Sequence, residues 1–227
     1  ISPKQKEILN VETPAGLVRC VYKQEDTKIT EIKFNNVPAS LAASDLEIVC
    51  SYLGALKIDV SYGGNFYAII DIQDNFRGIS KYTASDLIKW SREIREKINR
   101  EHNFIHPLDK KINGCSHILW AGKPTKNFST ASNAVFYGDK AIDRSPCGTG
   151  TCARMAQWYT KGKLKKGEKF VHESIIGSTF IGRIENEINI GKYQGIVPSI
   201  QGSARITGYN KLILDPEDPY VKGFQVV

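Results

Sequence analysis

Apolar and polar residues alternate from Ile29 to Phe34, the pattern of a half-buried strand. Residues 1–22 read as an opening segment followed by a strand over Gly16 to Val21, introduced by the turn signal Thr13-Pro14-Ala15-Gly16. Leu56 to Val60 and Phe66 to Ile72 predict two more strands, and Gly63-Gly64 between them resembles a hairpin connection. Strands are also predicted at Ser116 to Trp120, Ala134 to Tyr137, Phe170 to His172 and Phe180 to Glu185, with Gly202 to Leu214 forming two closing strands. Asn36 to Pro38 and Ala42 to Ser44 read as loops. The period turns helical over Thr83 to Glu101. Leu87, Trp90, Ile94 and Ile98 fall on one face, while Lys89, Arg92, Glu93, Glu96 and Arg100 cover the others. Thr83 or Ser85 can cap this helix, and Asp86 favours its N-terminus. Trp90 reads as core packing of this amphipathic helix. A second helix-like run, Ala153 to Lys161, carries Met155, Ala156 and Trp158 among polar residues. Many strands with two helices, and no strict β-α-β alternation, predict an α+β fold.

Composition narrows the picture. The 227 residues are enough for a real core in one domain or two. With 41% apolar and 24% charged residues, the chain reads as ordinary soluble globular protein. No apolar run approaches the roughly 20 residues of a membrane span, so no membrane partner is expected. The net charge of +7 would suit an anionic partner, but the basic residues are scattered. The densest basic run, Lys161 to Lys169, lacks interleaved aromatics and reads as a solvated face, so no nucleic acid is expected either. The five cysteines, Cys20, Cys50, Cys115, Cys147 and Cys152, are an odd number without regular spacing, which points to a reducing, cytoplasmic compartment. No metal is expected, because there is no CxxC and the histidines do not pair with cysteines at zinc-site spacing. No signal segment opens the chain. It also opens without Met, and its only Met is Met155, so a truncated or cleaved product is expected.

Candidate chemistry concentrates in Asp143-Arg144-Ser145-Pro146-Cys147-Gly148-Thr149-Gly150-Thr151-Cys152-Ala153. A strand-like run precedes this stretch and a helix-like run follows, so the Cys147 thiol sits on a strand-to-helix turn. The backbone N–H groups of Gly148, Thr149 and Gly150 are then the free donors of the first helical turn. Small residues let a ligand approach that backbone closely. Such a turn attracts a carboxylate or phosphate and is expected to lower the pKa of an adjacent thiol. A phosphate-loop reading is weaker, because no Lys-Ser or Lys-Thr follows. A lone cysteine is often just a small buried hydrophobe, but Asp143 and the Gly148-Thr149-Gly150 turn favour a functional reading here.

These residues resemble the proline racemase family, whose second catalytic cysteine lies in a motif reading DRSPCGTGT. Gly63-Gly64-Asn65-Phe66-Tyr67-Ala68, Ser116-His117-Ile118-Leu119-Trp120 and Phe170 to Ser178 reinforce the resemblance, as do Ile206-Thr207-Gly208-Tyr209 and Leu214-Asp215-Pro216. It covers essentially the whole chain, matched to the later part of a family member. The family's first catalytic cysteine lies in a Cys-Gly-His motif. This sequence contains no such motif, and it is expected upstream of residue 1. The resemblance implies a diaminopimelate-epimerase-like fold of two pseudo-symmetric lobes, each a sheet wrapped round a central helix, with the active site between them. Residues 29–200 would form the second lobe, residues 1–28 would be a remnant of the first, and residues 201–227 would return to the first.

Inverting an α-carbon needs a base on one face, an acid on the other, and fixed donors for the developing negative charge. The resemblance makes Cys147 one of two acid/base thiols and Asp143 the partner of the substrate's ring nitrogen. It makes Gly148 and Thr149 the backbone donors to the substrate carboxylate. His117 resembles the hydroxyproline epimerases, where it would contact a ring hydroxyl; the plain alternative is a solvated histidine at a strand start. His172 reads as structural, or as a support behind the residues of the site. Phe136 and Tyr137 either wall the substrate ring or pack their strand. The implied function is cofactor-independent epimerisation or racemisation at Cα of 4-hydroxyproline, slightly preferred, or proline, both small-molecule substrates. A homodimer is compatible with this reading. The 227 residues alone are expected to be inactive. Three alternatives stand beside it: a trans-3-hydroxyproline dehydratase, which the presence of Cys147 counts against; a non-catalytic binding protein on this fold; and a thiol redox protein using Cys147 and Cys152.

Overall fold

The computed structural model describes residues 8–26 and 28–223, so the first seven residues of the opening segment lie outside it. Its strands are β1 (Leu9–Thr13), β2 (Gly16–Glu25), β3 (Lys28–Asn35), β4 (Ala39–Cys50), β5 (Gly54–Tyr62), β6 (Phe66–Ile70), β7 (Cys115–Gly122), β8 (Ala131–Tyr137), β9 (Ala141–Ile142), β10 (Phe170–Ser174), β11 (Thr179–Ile190) and β12 (Tyr193–Gly202). The helices are α1 (Ala84–Glu101) and α2 (Gly148–Thr160). The strands form one sheet in the order β1-β2-β3-β12-β11-β10-β8-β7-β6-β5-β4, with β9 on β8. β12 is shared: Ser199 to Gly202 pair with β3, while Gly195 and Ile196 pair with Ser40 and Ala39 of β4. The second pairing closes β12 through β4 into a ring and leaves β1–β3 as an extension. Two neighbouring pairs, β6–β7 and β8–β10, are parallel. Parallel neighbours need a crossover, and α1 and α2 supply them.

The two helices occupy opposite faces of the sheet. Side chains on β6 alternate, so Phe66, Ala68 and Ile70 join the α1 cluster, while Tyr67 and Ile69 join Cys147 and Ala153 on the other face. α1 buries Leu87, Trp90, Ile94 and Ile98, the face its spacing predicts, and also Ser91. The Ser91 hydroxyl accepts the indole N–H of Trp120 at 2.8 Å. Thr83 and Asp86 close a reciprocal capping box at its start. α2 is buried from Gly150 to Gln157 and touches β4, β5, β6, β11 and β12. A sheet wrapped round a central helix is the lobe that the resemblance implies. Most of the polar groups buried with α2 are paired: Arg154 through its terminal nitrogens with Asp71 and Gln157, and Gln157 with Asp59, which the exposed Lys161 also reaches, while Arg154 Nε has no partner.

Two local expectations need correction. Ala42 to Ser44 lies inside β4 rather than in a loop. Two register shifts against β5 flank it, and Asp45 has a φ of 55°. These bulges broke the alternation that marks a strand. No strand forms over residues 203–214, where two were predicted. The last strand is β12, hidden in the sequence by Gly195 and Pro198. Pro198 sits at the β11 register shift between Ile184 and Asn186, where a missing N–H is tolerated. α2 begins at Gly148, as the motif places its first turn, although the apolar run that marks it starts only at Ala153; burial overrides the low helix propensity of the Gly and Thr residues between. Among the described residues no helix is long and apolar enough to cross a membrane.

Candidate active site

The loop from β9 to α2 is fixed link by link. The Asp143 N–H donates to the Val135 carbonyl at 2.8 Å, and the Asp143 carboxylate accepts the Ser145 N–H at 2.8 Å. The Ser145 hydroxyl in turn accepts the Cys147 N–H at 3.0 Å. The Pro146 carbonyl accepts from Asn133 Nδ2 at 2.8 Å and from the Thr151 hydroxyl at 3.1 Å. Thr151 Oγ1 also lies 2.9 Å from Nδ1 of the fully buried His172. Burial, and then the Arg154 charge, hold His172 well below its ordinary pKa, so it is a neutral bracket. This supports the structural reading of His172.

At the end of the bracket stands Cys147, the N-cap of α2, with a φ of 61°. That left-handed conformation is strained for a residue with a side chain and persists only where surrounding bonds over-determine it. The thiol points into the first turn, and Sγ accepts the Gly150 N–H at 3.4 Å. Gly148 and Thr149 open the helix, where N–H groups have no intrahelical acceptor. The structure thus brings Cys147, Gly148 and Thr149 together as the motif predicts, with half-buried Asp143 on the approach.

The expected lowering of the thiol pKa is corrected. Burial pushes Cys147 up, the Tyr67 hydroxyl and Gly150 N–H pull it down, and the Asp143 charge pushes it up again. The balance lies above the ordinary cysteine value, so Cys147 rests as a thiol at neutral pH.

Tyr67 is the residue that sequence reading missed. Its hydroxyl lies 3.3 Å from Cys147 Sγ and 2.6 Å from Thr149 Oγ1. The Gly63-to-Ala68 motif and the period of β6 were the available signals. His117, on β7, is half-buried rather than solvated. Its ring lies 4.8 Å from that of Tyr67, and its Nδ1 lies 2.6 Å from the Ser116 hydroxyl. Burial and the Arg95 charge lower its pKa, and Asp143 opposes them. The β5–β6 turn reaches the same place: a Cβ on Gly63 would overlap the Thr149 carbonyl and the Ala153 backbone, so only glycine lets turn and helix touch. An apolar cavity of 470 Å³ adjoins the first turn of α2, lined by Val11, Val18, Cys20, Phe34, Gly64 and Thr149.

Phe136 faces away from Cys147, in the α1 cluster, and Tyr137 is exposed, so Phe136 packs its strand rather than walling a substrate. Cys152 faces a different cluster from Cys147 and accepts the Asn36 amide at 3.3 Å. Burial pushes its thiol up to about 12. All five cysteines are free thiols. Among the described residues no group of three His, Cys, Asp or Glu is placed to hold a metal ion.

Comparisons with known proteins bear on the same residues. A family model described as proline racemase matches residues 1–225. The chain is 61% identical over 227 residues to a 4-hydroxyproline 2-epimerase of Spirosoma linguale, covering 100% of this chain and 68% of the relative. It is 52% identical over 227 residues to a 4-hydroxyproline 2-epimerase of Shewanella loihica, again covering 68% of the relative. A solved hydroxyproline epimerase from Agrobacterium vitis, with bound trans-4-hydroxy-L-proline, superposes with a TM-score of 0.89 at 26% identity, covering 99% of this chain and 64% of that one. A probable proline racemase from Agrobacterium radiobacter, with bound carbonate, gives a TM-score of 0.89 at 29% identity, covering 100% of this chain and 66% of that one.

Proposed function

From the premise that the chain belongs to the proline racemase family, we propose that it acts in epimerisation at Cα of 4-hydroxyproline, with proline the second candidate. The observation that carries this reading is the Cys147 thiol, held in a strained backbone conformation at the mouth of α2 beside the first-turn N–H groups of Gly148 and Thr149. The substrate carboxylate sits on those N–H groups, which meet the charge that grows as the Cα proton leaves. Asp143 holds the ring ammonium by a charge-assisted hydrogen bond. Cys147, a thiol at rest, delivers the proton to one face of Cα, and a second group takes the proton from the opposite face. In the reverse direction Cys147 is the base. His117, neutral and half-buried, contacts the ring hydroxyl. The names of the curated relatives support 4-hydroxyproline over proline, and Cys147 supports epimerisation over dehydration.

The second acid/base group is the cysteine of a Cys-Gly-His segment that these 227 residues do not contain. On this reading the chain alone does not turn over. β1, β2 and the residues after 201 belong with another lobe, a division supported by exposed apolar side chains such as Leu17, Val21, Ile206 and Leu212. The reaction uses protein side chains alone, and free thiols at all five cysteines suit a cytoplasmic setting.

Chiral chromatography tests the substrate. The protein carrying both the Cys-Gly-His segment and these residues is expected to convert trans-4-hydroxy-L-proline to cis-4-hydroxy-D-proline faster than it racemises L-proline. Faster turnover of L-proline would reverse the assignment.

A further inference from the structure

A base that must also serve as an acid needs an environment that accommodates both charge states. Around Cys147 Sγ that environment is a short chain of hydroxyls. Thr149 Oγ1 lies 2.6 Å from the Tyr67 hydroxyl, which lies 3.3 Å from Sγ. Thr149 Oγ1 itself is 3.9 Å from Sγ, so Tyr67 is the nearer hydroxyl to the sulfur. The Tyr67 ring is fully buried between β6 and α2, in one cluster with Cys147, Leu119 and Val135, so its hydroxyl is held in place by packing.

We propose that Tyr67 is a positioning residue for Cys147, its hydroxyl donating to the thiolate while accepting from Thr149, and turning to donate to Thr149 when Cys147 is a thiol. The proton count follows from the groups. Thr149 and Tyr67 carry one hydroxyl proton each, and a thiolate carries none. In the thiolate state both protons point along the chain toward Sγ. When the Cα proton arrives, a sulfur lone pair forms the S–H bond, and the C–H electron pair stays on the substrate. Sγ no longer needs a donor, and the Tyr67 hydroxyl swings to Thr149. No proton leaves the Tyr67–Thr149 pair, so the same device serves both directions of the reaction. Tyr67 does not ionise in this scheme: burial, and then the neighbouring Cys147, hold its phenol well above the ordinary tyrosine value.

The other groups that set the thiol are Asp143 on the preceding loop and the Gly150 N–H on α2; Cys147 in turn raises the thiol of Cys152, and His117 on β7 faces the Tyr67 ring. Among the described residues, only Tyr67 and Thr149 join the sulfur through hydroxyls that can reverse. The inference rests on the acid/base reading of Cys147, but its test needs no turnover.

The test is the pH dependence of iodoacetamide alkylation at Cys147 in the full chain, read by peptide mass spectrometry, for wild type, Tyr67→Phe and Thr149→Val. Removing a hydrogen bond to the charged form raises the alkylation midpoint in Tyr67→Phe by about one pH unit, leaving about tenfold less thiolate at any pH below it. Thr149→Val keeps its backbone N–H and shifts the midpoint in the same direction by less. An unchanged midpoint in folded Tyr67→Phe, or a rate lowered equally at every pH, would reduce Tyr67 to packing and overturn the proposal. If Tyr67→Phe does not fold by circular dichroism, Thr149→Val decides alone, and an unchanged midpoint there overturns it. Shifted midpoints together with absent Cα exchange would leave the Tyr67 assignment standing and remove the epimerase reading instead.

Discussion

Cys147 adopts a φ of 61° because its neighbours leave it no alternative. Asn133 and Thr151 hold the Pro146 carbonyl from two sides, and His172 backs Thr151. Thr151→Val keeps the volume but removes one of those donors and one of the two polar neighbours of the buried His172 Nδ1. The expected cost is about 1–3 kcal/mol in urea unfolding, with faster alkylation of Cys147 as the bracket loosens. A stability equal to wild type would show that the bracket carries no energy. Much of the site was legible in the sequence at this scale, since Asp143, Cys147, Gly148 and Thr149 lie in one contiguous motif. Tyr67, Asn133 and His172 were not read as partners of that motif, because only strand order brings β6, β8 and β10 to the mouth of α2. The direction of the Cys147 shift was also misread. Sequence shows the helix N-terminus that lowers a thiol, but not the burial that outweighs it.

At the scale of elements, α1 was readable because its period and its capping box agree, and it is an outer helix with one buried face. α2 has no such contrast, being buried nearly all round, so its first turn escaped the pattern. β4 and β12 escaped for another reason: bulges, a glycine and a proline interrupt their alternation. α1 is tied to the end of β4 by Glu93, whose carboxylate accepts the Ser51 N–H at 2.8 Å and the Lys97 ammonium at 2.6 Å. Burial pushes this carboxyl up, but Lys97 and Ser51 outweigh burial and hold it at about 2. A folded pKa below the unfolded value, about 4.3, stabilises the protein above that value and loses the contribution as pH falls through the folded pKa. Glu93→Gln is therefore expected to cost about 1 kcal/mol at neutral pH. The gap from wild type should close as pH falls from about 4.3 toward 2. Urea midpoints measured across that range check it, and a gap independent of pH would mean that the ionised form of Glu93 contributes nothing.

At the scale of the molecule, the pairing of β12 with β4 closes the sheet round α2 and fixes the mouth of that helix at the edge of an apolar cavity. The α+β class was readable from the pattern of strands and helices, and the sheet-round-a-helix lobe from the resemblance. Ring closure was not, because it depends on one short pairing far apart in sequence. The chain spans about two thirds of the length of the relatives it matches, 68% of the curated ones. On the proposed reading one thiol at the mouth of α2 serves one face of Cα, so the 227 residues alone should show no epimerisation above background by chiral chromatography. Turnover by that chain would require the second acid/base to be among these residues. Whether Cys147 moves the Cα proton is read by deuterium exchange. The protein carrying the Cys-Gly-His segment together with these residues is incubated with cis-4-hydroxy-D-proline, the substrate of the direction in which Cys147 is the base, in deuterated water beside its Cys147→Ser variant, and the Cα signal is followed by proton NMR. Wild type should lose the Cα signal, and the variant should keep it. Equal exchange by both, or by neither, would contradict that role of Cys147.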